Sequence, residues 1–330
     1  MKQFLQKKAK LVFLCMLVLL TCTACANPRG RDGKTLADQI IASEETTIDA
    51  SKINYKDISD KKLKKEIKKN IKDGQYTIQP TTFKDSMSKG WFEGLIVWPI
   101  AQIINLISSK TDAGVGIILT TLLIQMLVFV FTRKSQMSAQ RLQEIQPEIQ
   151  KIQNKYKDKT DERSKLQMAQ EMQNLYQKYD VHPLGSMLIT FIQLPIMMGM
   201  YYATMRSVSV VSGSFMGISL AGTPLDGFKA LDIAYIAIYV LMVIFYIVSM
   251  KLPQWLKKWQ DKKDNVKVKK YAQEETNPMA NSMNMSMYFM TAMICIMYIS
   301  WPMAMSFYWL VSSVIRVCQS LILHQVMNKK

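Results

Sequence analysis

Three apolar stretches of this sequence carry polar side chains at helical spacing, and any chemistry must be sought there. Residues 114–132 hold Thr121 and Gln125, four apart and so on one helix face. Residues 184–205 hold Ser186, Thr190 and Gln193, again on one face. Residues 303–323 hold Ser312, Arg316 and Gln319, with Tyr308 and Trp309 one to two turns earlier. Such groups are costly in hydrocarbon and face protein or a water-filled cavity. If the three stripes converge, they line a hydrated pocket inside the apolar layer. Taken singly, each Ser, Thr or Gln has a plainer use in hydrogen bonding between helices. Arg316 can also extend toward the polar interface.

Bond-making chemistry has no comparable support. His182 and His324 are the only histidines and lie far apart in the sequence. There is no HExxH, no GxxxxGK[ST] phosphate loop, no CxxC pair at zinc spacing and no evident nucleophile–base pair. The expectation is a protein that is not an enzyme, with no catalytic residue, no metal and no cofactor.

The elements that must position these stripes follow from hydropathy and charge. The chain has 330 residues, is 49% hydrophobic and carries a net charge of +17. Apolar runs and lysine-rich stretches alternate along it. Five runs, 114–132, 184–205, 230–250, 283–300 and 303–323, are each close to the roughly 20 residues that cross a hydrocarbon core. The last two are separated by a Trp301-Pro302 turn. The basic balance fits an anionic lipid surface and the positive-inside bias better than a specific nucleic acid. The 133–182 segment holds ten Lys and Arg and the 251–281 segment eight, whereas 208–229 holds Lys229 alone. The basic segments and the C-terminus are therefore expected in the cytoplasm. The 133–182 segment reads as a helical hairpin, with Ile145, Ile149, Ile152 and Tyr156 on one apolar stripe. The other stripe is Leu166, Ala169, Met172, Tyr176 and Tyr179. Residues 91–110, with Trp91 and Trp98, read as an amphipathic helix at the outer interface. The expected fold is thus an all-α integral membrane protein of five transmembrane helices, with a cytoplasmic hairpin and an outer interfacial helix.

The N-terminus has a basic start, an apolar run from Leu11 to Leu20, and small residues through Ala24-Cys25. This describes an export signal over 1–24. Its end is similar to a bacterial lipoprotein signal, in which Cys25 is the acylated first residue. Residues 25–90 then form an extracellular, lipid-anchored basic segment. Its run Lys61–Lys69 reads as an exposed helix or a flexible stretch with a solvated face.

From Trp91 onward the chain resembles the YidC family of membrane protein insertases, in its Gram-positive lipoprotein form. The resemblance rests on Trp91-Phe92, Trp98-Pro99, Leu142-Gln143-Glu144-Ile145-Gln146-Pro147-Glu148-Ile149 and Lys155-Tyr156. It rests also on Tyr179-Asp180-Val181-His182-Pro183-Leu184-Gly185, Gln193-Leu194-Pro195-Ile196 and Ser306-Phe307-Tyr308-Trp309-Leu310-Val311-Ser312. It implies a five-span core over 111–330 with a hydrophilic groove open to the cytoplasm and to lipid. The groove receives a client's polar segment, which lowers the cost of moving it across. The implied partners are nascent membrane protein clients and the bilayer, with the Sec translocon and the ribosome as further candidates. The expected groove set is Thr121, Gln125, Gln193, Tyr308, Ser312 and Arg316, of which the resemblance itself carries over Thr121 and Tyr308. The family has an arginine where this chain has Gln125; Arg316, at similar depth, is the expected substitute for that charge. Alternatives are a specialised or partly inactive paralogue acting as scaffold for a membrane assembly, and a small-solute transporter.

Overall fold

The computed structural model describes residues 28–157, 159, 161–181, 183–263, 288–289 and 291–328. The expected signal, Cys25, His182, most of 251–281 and the start of the 283–300 run lie outside these residues. The chain is mostly helical and divides into two compact units.

The first unit comprises 28–120, 194–222 and 302–305. Its N-terminal part contains β1 (Thr35–Leu36), β2 (Thr46–Asp49), β3 (Ile53–Asn54), α1 (Lys61–Asn70), β4 (Ile71–Lys72), β5 (Gln75–Ile78) and α2 (Phe83–Lys89). β2, β5 and β4 form an antiparallel sheet in that order, with Ile48 opposite Tyr76 and Thr46 opposite Ile78. Asp73-Gly74 turns β4 into β5 with φ of 49° and 76°, the left-handed pair that a two-residue hairpin requires. β1 pairs parallel with β3. Asp60 caps α1 by accepting from the Lys62 and Leu63 amides, and Ile67 faces inward. Ala37, Ile40, Ala42, Ile48, Ile53, Ile58, Ile67 and Ile78 make one core with Val208 and Val211. The all-α expectation therefore fails here: isoleucines at irregular spacing, scattered through a polar stretch, meet in a small mixed domain.

This domain is fastened to helical segments of the same unit. A π turn over Glu93–Val97 leads into α3 (Trp98–Ser108). Phe92, Val97, Ile100, Ala101 and Ile104 face inward, while Trp91, Leu95 and Leu106 stay exposed. Asn105, which merely interrupts the apolar run in sequence, is a buried hub. It donates to the Ile41 carbonyl at 2.9 Å and accepts from the Ser207 hydroxyl at 2.6 Å and the Ser209 amide at 3.2 Å. Ile41 bridges Ser207 in parallel, through its amide to the Arg206 carbonyl and its carbonyl to the Val208 amide. Arg206 pairs with Glu93 and donates through Nε to the Gln39 carbonyl at 2.7 Å.

The long helices are α4 (Ala113–Glu144), α7 (Pro183–Arg206), α10 (Ile233–Lys263) and α11 (Met303–Asn328). Between them lie α5 (Gln146–Lys155), α6 (Glu162–Lys178), α8 (Val208–Ser212), the two-stranded β6 (Ser214–Phe215) and β7 (Ile218–Ser219), and α9 (Pro224–Ala230). Among the described residues, Ala113–Leu142, Ile233–Gln260 and Met303–Val326 are long and apolar enough to cross a membrane. α4 runs twelve residues past the apolar stretch 114–132, because Arg, Lys, Gln and Ser sustain a helix and no breaker occurs before Pro147.

The second unit comprises 121–193, 223–301 and 306–330. In it α5 and α6 pack as a hairpin over Ile145, Ile149, Leu175 and Val181, joined by Leu142, Ile152, Met172, Tyr176 and Tyr179. The second apolar stripe is displaced from the expected one. Leu166 is exposed and Leu175 is buried in its place.

Candidate functional site

α11 supplies the centre of the polar cluster in the second unit. Tyr308, Ser312 and Ser313 on it are fully buried. Gln125 of α4 donates through Nε2 to the Ser312 hydroxyl at 3.2 Å. Gln193 of α7 donates through Nε2 to the Tyr308 hydroxyl at 3.2 Å. The Tyr308 hydroxyl also interacts with Ser312 and Gln125. Thr121 is fully buried one turn before Gln125. Three helices thus bring Gln125, Gln193, Tyr308 and Ser312 together. Neutral hydrogen bonds between apolar helices contribute about 0.6 kcal/mol each, so the cluster is easily rearranged.

Arg316 lies one turn beyond Ser312, so the depth match expected between positions 125 and 316 is off by a turn at the backbone. Its side chain closes that gap. Helical side chains lean toward the N-terminus, and the Arg316 guanidinium reaches back to the Ser313 hydroxyl at 2.8 Å. It sits 5.6 Å from the centre of the Trp309 ring and within electrostatic range of Tyr308, Tyr246 and Tyr298. Tyr246 of α10 packs edge-on against Trp309, and the Tyr298 ring lies tilted against the same Trp309 ring with centroids 5.0 Å apart. The side chain is half-buried. It is therefore held among aromatic rings, which attract a cation, and it does not extend toward the far end of its helix.

Polar residues continue from this cluster along two helix faces. On α11 the i+4 repeat of Ser312 and Arg316 runs on to Ser320 and His324, both buried. On α4 Thr121 and Gln125 are followed, after a step of seven, by Thr132, Gln136 and Gln140. Thr132 donates to the Val128 carbonyl at 2.7 Å and accepts from Gln136 at 2.8 Å. Gln140 Nε2, Ser320 Oγ and the Trp309 indole N–H are buried without a hydrogen-bond partner among the described residues. Buried polar atoms are seldom left so, and water or a ligand normally completes them. Both faces end at a cavity of about 470 Å³ lined by Arg141, Glu148, Tyr179, Asp180, Lys257 and His324. Sequence reasoning missed Ser313, Tyr246, Tyr298, Gln140, Ser320 and His324. The unbroken i+4 register from Ser312 was a signal that could have found two of them.

The hairpin beside this cavity is tied by polar contacts at its surface. The Tyr179 hydroxyl donates to Glu148 at 2.5 Å, and that bond, with burial, raises the phenol above its ordinary range. Lys155 and Tyr156 both donate to Glu171, at 2.5 and 2.9 Å. These bonds hold the Glu171 carboxyl below its ordinary value and, from the other side, raise Lys155. No group of three or more His, Cys, Asp or Glu side chains suited to a metal occurs among the described residues.

The family model for the 60Kd inner membrane protein matches residues 105–330. The chain belongs to this family. It is 31% identical over 72% of its length to "Membrane protein insertase YidC" of Enterococcus faecalis, covering 76% of that protein. It is 30% identical to "Membrane protein insertase YidC 1" of Streptococcus pyogenes serotype M6, over 72% of this chain and 75% of that one. It is 29% identical to "Membrane protein insertase MisCA" of Bacillus subtilis, over 72% and 80%. A solved "Active YidC insertase crystal structure with the first transmembrane domain resolved" is similar at 18% identity and a TM-score of 0.45, over 75% of this chain and 57% of that one. The folded domain of residues 28–90 lies ahead of the region that the family model matches.

Proposed function

We propose that this chain inserts membrane proteins into the bilayer and assists their folding, with the polar faces of α4, α7 and α11 as the receiving groove. The observation that carries this is the run of polar side chains from the Gln125–Ser312 and Gln193–Tyr308 bonds to the cavity at Arg141 and His324. Weak mutual bonds and unpartnered buried donors are what a surface needs if it is to exchange its own contacts for those of a client's polar tail. The work is noncovalent, so no catalytic residue is required. Arg316 supplies the cation for acidic tails, in place of a charge at Gln125.

The proposed topology has five spans, with 283–300 as the fourth. The hairpin, the 251–281 loop and the C-terminus are cytoplasmic. Residues 25–90 lie outside, anchored by an acyl group on Cys25, and 91–110 lie in the outer interface, where the exposed Trp91 and Leu95 suit the headgroup layer. Clients are nascent membrane proteins, taken alone or beside a Sec-type channel and the ribosome.

The test is insertion of a short single-span client with an acidic translocated tail into liposomes holding this protein. Wild type should insert it. Arg316→Ala should lose roughly 10- to 100-fold in rate, the scale of a lost charge-assisted hydrogen bond. Adding Gln125→Arg should restore much of that loss. Insertion by Gln125→Arg alone, with an inert wild type, would instead mark a paralogue that has lost general activity.

A further inference from the structure

The 28–90 domain holds a helix whose charges work against its own stability. α1 reads Lys61-Lys62-Leu63-Lys64-Lys65-Glu66-Ile67-Lys68-Lys69-Asn70. Like charges three and four residues apart destabilise a helix, and lysines in its first turn oppose the positive end of the helix dipole. The fold keeps the helix regardless, through the Asp60 cap and the burial of Ile67. Glu66 is the one carboxylate of α1, set against six lysines, and nearby carboxylates are committed elsewhere. Asp49 caps the turn at Ser51, Asp57 accepts from the Arg31 amide and Asn54, and Asp85 closes a capping box with Thr82. Lys64 folds onto the Lys56 carbonyl. Lys61, Lys62, Lys65, Lys68 and Lys69 remain exposed, with Lys72 of β4 beside them. Among the described residues none of them has an ion-pair partner.

An exposed cation array built at a cost to its own helix calls for a polyanionic partner. We propose that α1 docks on anionic lipid headgroups at the membrane surface. The inference rests on the proposed placement of residues 25–90 at the outer face of the membrane. An outward segment is free of the positive-inside bias, so its lysines are not there as a topology signal. The Arg31 amide bonds Asp57, and Lys64 reaches Lys56, so the start of α1 is tied to the first described residues. The six residues from Cys25 to Arg31 span at most about 20 Å, a tether short enough to keep the domain at the surface and long enough to let α1 turn onto it. Attraction of lysines to an anionic leaflet falls off within a Debye length, so only a face turned onto the leaflet feels it.

The test uses the full-length protein in sealed vesicles and a membrane-impermeant amine-acylating reagent, read residue by residue by mass spectrometry. A surface potential of about −30 mV holds an ammonium in its unreactive form by about a factor of three. In vesicles carrying phosphatidylglycerol, Lys61, Lys62, Lys65, Lys68 and Lys69 should therefore react at least about threefold more slowly than in zwitterionic vesicles. Lys34 of the same domain should change less, and high salt should abolish the difference. Lys62→Glu with Lys65→Glu and Lys69→Glu should remove it at Lys61 and Lys68. Equal rates in the two vesicle types, or slowing no greater than at Lys34, would overturn the proposal. So would protection by soluble polyphosphate in zwitterionic vesicles with none from phosphatidylglycerol, which would point to an anionic polymer instead. Client insertion measured in the same vesicles separates the two readings: intact insertion without protection removes the docking surface and leaves the insertase reading standing.

Discussion

The fastening of the 28–90 domain and the polar cluster on α11 are both built from buried polar side chains, yet they are bonded differently. Asn105 and Arg206 spend their hydrogen bonds largely on backbone carbonyls and amides, which hold fixed positions. The α11 cluster is bonded side chain to side chain, through two contacts of 3.2 Å, and several donors near it have no partner among the described residues. A site whose polar atoms meet the backbone is locked once folded. A site whose polar atoms meet each other, or nothing, can accept substitutes. The first is an anchor and the second a working surface.

That distinction can be broken most forcefully at Arg206. Arg206→Ala leaves Glu93 and the Gln39 carbonyl unpaired, and the loss of one partner from a buried pair costs about 3–5 kcal/mol. Protease sensitivity confined to residues 28–90 should rise sharply while the α11 cluster is unaffected. Asn105→Ala removes three bonds and leaves the buried Ser207 hydroxyl without its acceptor and the Ile41 carbonyl with the Val208 amide alone, for about 1–3 kcal/mol, visible as faster hydrogen exchange at the Ile41 and Val208 amides. A double-mutant cycle of Gln125→Ala and Ser312→Ala should return a coupling of only about 0.6 kcal/mol in thermal unfolding. A coupling as large as that of Arg206 would erase the contrast.

The smallest effect concerns pH at the hairpin. Glu171 is depressed below its ordinary 4.5, so its contribution is present above that value and lost as pH falls through the lower folded value. Lys155 is raised above 10.5, so its contribution is present below that value and lost as pH rises through the higher folded one. The pair is exposed and its effect slight. Protection factors at the α5–α6 ends, taken relative to intrinsic exchange at each pH, should be highest between those limits, and Glu171→Gln should flatten the profile.

Much of the helical layout was legible because long apolar runs and lysine counts survive any detail of packing. Ile145 and Ile149 were found for the same reason. The 28–90 domain was not legible. Its strands are two to four residues long, too short for a period-two pattern. Its one clear local signal, Asp73-Gly74 between Ile71 and Tyr76, stood inside a lysine-rich stretch that invites a flexible reading. Glu93 and Asn105 interrupt an apolar segment and Arg206 follows one, and spacing says nothing of their partners, which are far away in sequence. Within the site, spacing gave Gln125 and Ser312 but not the direction of Arg316, which depends on the aromatic rings that receive it.

The most direct test of the receiving groove is disulfide capture of a client tail. α11 carries a built-in control: native Cys318 is exposed, whereas Ser320 is buried with its hydroxyl unpartnered among the described residues. Two proteins would be compared during insertion of a client with one cysteine in its polar tail. One keeps Cys318; the other has Cys318→Ala with Ser320→Cys, and Cys295→Ala is present in both. Capture is expected at position 320, with little at 318. Capture at 318 with none at 320 would mean that tails pass along the exposed face of α11, and the groove would be wrong.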